Sequence, residues 1–136
     1  MMSLPESASC PCGAPVSYGN HCRKLHTAGF AGLNASAEDT MRSRYSAYVV
    51  EDEAYLLATW HPSTRPARVT FDGVEWHGLT VIGSVGGVGL SNEGQVEFTA
   101  RFRRNDAHLE LHELSSFVRE GGRWLYVDGV DADRID

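Results

Sequence analysis

The sequence predicts an α+β domain, with helices packed on one face of an antiparallel sheet. Three observations carry this. Residues 36–60 have helical spacing and a recognisable helix start. From residue 67 onward the pattern switches to strands, with clean period-two alternation over 95–104. Short turns, Asn105-Asp106 and Gly121-Gly122, then join three long strands into a meander. Helices first and a meander afterwards imply segregated layers rather than parallel β-α-β units.

The elements follow in chain order. The first thirty-five residues are rich in Gly, Pro, Ser, Asn and Cys and read as loop. Ser36, with Asp39 three residues on, forms a capping-box start for a helix over residues 37–50. A shorter helix over 53–60 stops before His61-Pro62, because Pro62 disfavours helical geometry in the residue before it. Val69–Phe71 reads as a short strand with a turn at Asp72-Gly73. Residues 76–85 form the next strand, and Gly86-Gly87-Val88-Gly89 is too glycine-dense to continue it. Over 95–104, Val96, Phe98, Ala100 and Phe102 face one way and Glu97, Thr99, Arg101 and Arg103 the other. Strands over 108–119 and 123–127 complete the sheet, and the acidic tail from Gly129 is expected to fray.

Composition narrows the function. Hydrophobic residues at 42% and charged residues at 22% are globular values. A formal net charge of −6 disfavours a broad nucleic-acid-binding face, which needs basic surface to neutralise phosphates. Arg101, Arg103 and Arg104 read as a solvated strand face. No run reaches the ~18 apolar residues of a membrane helix, and residues 1–9 lack the basic and apolar regions of a secretion signal. A cytoplasmic location is expected.

All three cysteines lie within the first 22 residues, which suits a metal site rather than a disulfide framework. Cys10-Pro11-Cys12 is followed, eight residues later, by His21-Cys22. Three thiolates and an imidazole satisfy the tetrahedral preference of zinc, and a closed four-ligand shell leaves no position for a substrate. The expectation is a structural zinc site on Cys10, Cys12, His21 and Cys22, with His26 as a spare ligand.

Cys10-Pro11-Cys12-Gly13, Tyr18 and His21-Cys22 resemble the SEC-C motif, a short zinc-binding module. Ala14-Pro15 stands where the motif has Ser-Gly, and the Cys-His order is reversed. Residues 41–48, 59–66, 111–117 and 123–129 extend the likeness to the YchJ-like (UPF0225) family, which couples a SEC-C motif to an NTF2-like domain. The resemblance implies a SEC-C-like zinc segment over 1–35 and an NTF2-like cone over 36–136, its curved sheet wrapped by helices. It implies a protein-interaction surface at the knuckle and no particular activity.

Fold alone does not decide between enzyme and binding module. Met41, Arg44, Tyr45, Tyr48 and Val49 share a stripe on the first helix. Glu113 sits in the otherwise apolar row Leu109, Leu111, Ser115, Phe117. An Arg44–Glu113 ion pair is the economical expectation, since buried charges are usually paired. With Tyr45, Tyr48 and Trp60 these two residues are expected to line a small-molecule pocket. The preferred reading is a non-enzymatic binding or adaptor protein. The alternative is an acid–base enzyme using Glu113 with His61 or His112, and a homodimer through the sheet is a third expectation.

Overall fold

The computed structural model describes residues 4–28, 36–71, 73–86 and 91–132. After a 3-10 turn at Tyr18–Asn20 come helices α1 (Cys22–Ala28), α2 (Ala37–Val50) and α3 (Glu53–Ala58). Four strands follow, β1 (Glu75–Gly86), β2 (Glu93–Arg104), β3 (Ala107–Glu120) and β4 (Arg123–Asp131). They form an antiparallel sheet in the order β1-β2-β3-β4, the meander expected.

The α2 start forms as the sequence implies. Ser36 Oγ accepts from the Asp39 amide and the Asp39 carboxylate accepts from the Ser36 amide, both at 3.1 Å. Glu51 ends the helix in the left-handed region (φ 59°). The Asp52 side chain then caps α3 by accepting from the Tyr55 amide at 3.0 Å. Asn105 (φ 50°) and Asp106 (φ 66°) make the β2–β3 hairpin turn, and Gly121 (φ 60°) and Gly122 (φ 77°) the β3–β4 turn. Positive φ at both central positions matches the twist of the flanking strands.

Four expectations change. Val69–Phe71 is not a strand: Val69 and Phe71 pack against Leu25, Ala47, Tyr55 and Leu56, and the Val69 amide bonds Glu53 Oε2 at 2.8 Å. Its apolar alternation serves helices instead of a sheet partner. β4 runs on through Gly129 to Asp131, because Ser115 and Glu113 on β3 supply its partners. The N-terminal segment is not all loop, since Cys22 opens α1. Finally, α3 ends at Ala58, before Trp60. Asp72, Gly87–Gly89 and the last four residues lie outside the described ones.

α2 is enclosed on more than one side. Met41 and Tyr45 join β-sheet residues Leu79, Val96, Phe98, Ala100, Phe117 and Trp124 in one core. Thr40, Ser43 and Ser46 are fully buried. Two are satisfied locally: Thr40 Oγ1 donates to Ser36 O, and Ser43 Oγ to Thr40 O. The chain after α3 lies along β4, with the His61 amide donating to Tyr126 O (2.7 Å) and the Tyr126 amide to Thr59 O (2.8 Å). This covers part of the exposed edge of β4 and fixes Trp60 beside Tyr126.

Candidate functional site

Cys10 and Cys12 flank Pro11 in a turn closed by the Gly13 amide on Cys10 O at 3.2 Å. The 3-10 turn then brings His21 and Cys22 back to it. His21 Nδ1 lies 3.4 Å from Cys10 Sγ, 3.4 Å from Cys12 Sγ and 3.3 Å from Cys22 Sγ. All four ligand atoms lie within 4.8 Å of one another. Metal–sulfur and metal–nitrogen bonds of about 2.3 and 2.0 Å put sulfur and nitrogen about 3.5 Å apart in a tetrahedron. The cluster therefore has the size and donor set to hold a metal ion. Packed this closely, the thiols interfere with one another. Hydrogen bonding with Cys12, then Cys22, pushes Cys10 down, while bonding with Cys10, then Cys12, pushes Cys22 up. A divalent cation held by Cys10, Cys12, His21 and Cys22 would resolve the conflict by taking all three sulfurs as thiolates.

His26 is committed elsewhere. Its Nε2–H donates to Ser43 O (2.8 Å), so Nδ1 accepts from the Tyr18 hydroxyl (2.7 Å). The ring also lies 4.6 Å from that of Tyr55, and burial lowers its pKa. It latches the knuckle to α2 and α3. Arg42 adds a second tie, donating from Nη1 to Cys12 O at 2.9 Å. Ser46 Oγ is 3.8 Å from Cys10 Sγ. Cys10, Cys12, Tyr18 and Cys22 belong to the same core as Met41, Tyr45 and Trp124. The knuckle is thus built into the domain's core.

The second feature is a cavity of about 280 Å³ between α2 and the sheet, near the lower end of the roughly 300–1,000 Å³ typical of ligand pockets. Arg44, Tyr45, Tyr48, Trp60 and Glu113 all line it, with Met41, Trp76, Phe98 and Tyr126 among the apolar walls. The expected Arg44–Glu113 ion pair is not formed. Arg44, 6% exposed, donates from Nη1 to Leu56 O (2.8 Å) and Thr59 Oγ1 (2.6 Å). Its guanidinium carbon sits 4.9 Å from the Trp60 ring centroid and 4.7 Å from that of Tyr126. Burial lowers its pKa. Glu113 instead accepts from Ser115 Oγ at 2.5 Å and lies over Gly129, where any Cβ would collide with its carboxylate.

The histidines expected beside Glu113 are elsewhere. His61 Nε2 meets Glu120 Oε2 at 2.8 Å and its Nδ1 lies 2.7 Å from Ser63 Oγ. His112 points to the opposite face of β3, as strand alternation requires, and its Nε2 meets Glu97 Oε2 at 2.6 Å. Neither lines the cavity. Sequence reasoning missed Thr59, which receives Arg44, and Gly129, which makes room for Glu113. Thr59 follows a helix end and Gly129 pairs with Ser115 across β3–β4. The packing of α3 on α2 brings Thr59 to Arg44, and β3–β4 register brings Gly129 to Glu113.

A family model described as the YchJ middle NTF2-like domain matches residues 36–129. A UPF0225 protein of Streptomyces avermitilis is 46% identical over 128 residues, covering 93% of this chain and 87% of the relative. One from Bordetella parapertussis is 44% identical over 132 residues, covering 95% and 98%. Among solved structures, a SEC-C motif containing protein from Rhodopseudomonas palustris superposes with a TM-score of 0.76 at 32% identity, covering 91% of this chain and 98% of that one. A SEC-C motif containing protein from Psychrobacter arcticus gives 0.74 at 25% identity, covering 98% and 88%.

Proposed function

The chain belongs to the UPF0225 family, with an NTF2-like α+β fold, and from that premise we propose that it is a zinc-clipped, non-enzymatic binding protein whose cavity takes a small molecule. Zinc is the ion that best suits three thiolates and one imidazole, and four protein ligands fill its shell. Its role is structural. The ion fixes the knuckle against α2, and α2 carries Met41, Arg44, Tyr45 and Tyr48 into the cavity wall.

The observation that carries the binding reading is the cavity's polar inventory. Arg44, Glu113 and Ser115 stand among aromatic walls, and neither His61 nor His112 reaches them. A few convergent polar groups in an apolar pocket orient a ligand, and the wall hydroxyls of Tyr48 and Tyr126, whose pKa burial raises, are poor proton carriers near neutral pH. A small-fragment screen by NMR on the zinc-loaded chain tests this. Shifts centred on the indole signals of Trp60 and Trp76 are expected. Shifts confined to the outer sheet face, around His77, Arg103 and His108, would end the reading.

A further inference from the structure

The cavity's two charged groups make no direct contact: Glu113 acts on Arg44 only as a more distant charge, and neither bonds the other. Arg44 is more than nine-tenths buried and its bonded neighbours are a carbonyl and a hydroxyl, both neutral. Among the described residues it makes no ion pair. Its two ring neighbours contribute quadrupoles, which are no substitute for a full negative charge in a low-dielectric site. Trp60, stacked against it, buries its indole N–H with no acceptor. Among the described residues, the Arg44 side of the cavity therefore has no anionic group in direct contact with the guanidinium. On β3, Glu113 offers the reverse: a carboxylate with one donor, Ser115, and capacity for more.

We propose that the cavity binds a small carboxylate with a flat apolar body and a hydrogen-bond donor at its far end. This rests on the small-molecule reading of the cavity and names the class of molecule. The carboxylate meets the planar guanidinium fork of Arg44, which suits its geometry. The body lies against Trp76 and Phe98, and the donor reaches Glu113. Size agrees: about 280 Å³ holds roughly nine water volumes at ~30 Å³ each, enough for a single substituted ring. Inorganic phosphate has no apolar body to lie against Trp76 and Phe98, so it is expected to bind less tightly.

Calorimetric titration of the full, zinc-loaded chain tests this with four probes: 4-hydroxybenzoate, benzoate, 4-hydroxybenzamide and inorganic phosphate. The hydroxybenzoate is expected to bind at least tenfold more tightly than the amide and several-fold more tightly than benzoate. Arg44→Lys should weaken it tenfold or more. Glu113→Gln, which leaves the Arg44 cradle intact, should narrow the gap between hydroxybenzoate and benzoate. Equal affinity for acid and amide, or tighter binding of phosphate, would overturn the carboxylate assignment while leaving the binding reading standing. If no probe binds and the cavity indole signals stay still with all four, both fall.

Discussion

Thr59→Val keeps the shape of a fully buried side chain and removes one hydroxyl. That hydroxyl accepts from Arg44 Nη1 at 2.6 Å and donates to Tyr55 O at 2.8 Å. The Tyr55 carbonyl keeps another donor, the Thr59 amide at 3.0 Å, so the loss falls on Arg44. A hydrogen bond to a charged group contributes about 1.5–3 kcal/mol, and removing the acceptor leaves part of a buried cation unsatisfied. The expected cost is about 2–3 kcal/mol, or about 10 °C in Tm for a domain of this size. In an Arg44→Met background the same change should cost under about 1 kcal/mol, because only the neutral bond to Tyr55 is lost. Urea unfolding of the four proteins in this cycle measures the coupling. Equal costs in the two backgrounds, or a cost below about 0.5 kcal/mol in the first, would refute the claim that Thr59 holds the buried charge.

Two further outcomes follow from the geometry. His26 is held neutral between Tyr18 and Ser43, with its pKa lowered by burial. The folded state therefore binds fewer protons than the unfolded one, and His26's contribution is full above the ordinary histidine value of ~6.5 and is lost as pH falls below it. Urea midpoints at pH 7.5 and 5.5 should fall less in His26→Phe than in the parent; parallel falls would contradict the latch. Gly129→Ala places a methyl on the Glu113 carboxylate. It should cost about 1–3 kcal/mol through overpacking and about nothing in a Glu113→Ala background. An undiminished cost there would show that Glu113 is not what fills the space over Gly129.

Much of the fold was legible because its signals are local. The Ser36–Asp39 capping box set the start of α2, and β2's alternation placed Val96, Phe98 and Ala100 in the core. The four metal-ligand candidates were legible for the same reason, being two adjacent pairs in thirteen residues. What was hidden depends on partners distant in sequence. α2 carries a stripe of Met41, Arg44, Tyr45 and Tyr48, yet Ser43 and Ser46 on its other side are equally buried. The knuckle covers them, and their small size admits it: Ser46 lies beside Cys10, and Ser43 O receives His26. Arg44 was readable as a buried charge but not its neighbours, since a carbonyl at the end of α3 and two aromatic rings leave no mark in a charge pattern. Val69–Phe71 misled because apolar alternation describes any segment buried on one side, and α3 supplies what it lies against.

A zinc ion on Cys10, Cys12, His21 and Cys22 would join knuckle to domain, as proposed above. Native mass spectrometry of the chain expressed with zinc should show one zinc bound per molecule, and Cys12→Ser should lose it. The near-UV circular dichroism of the aromatic core should change with that loss, because Cys12 and Trp124 share one cluster. A folded parent chain that carries no metal would contradict the central claim.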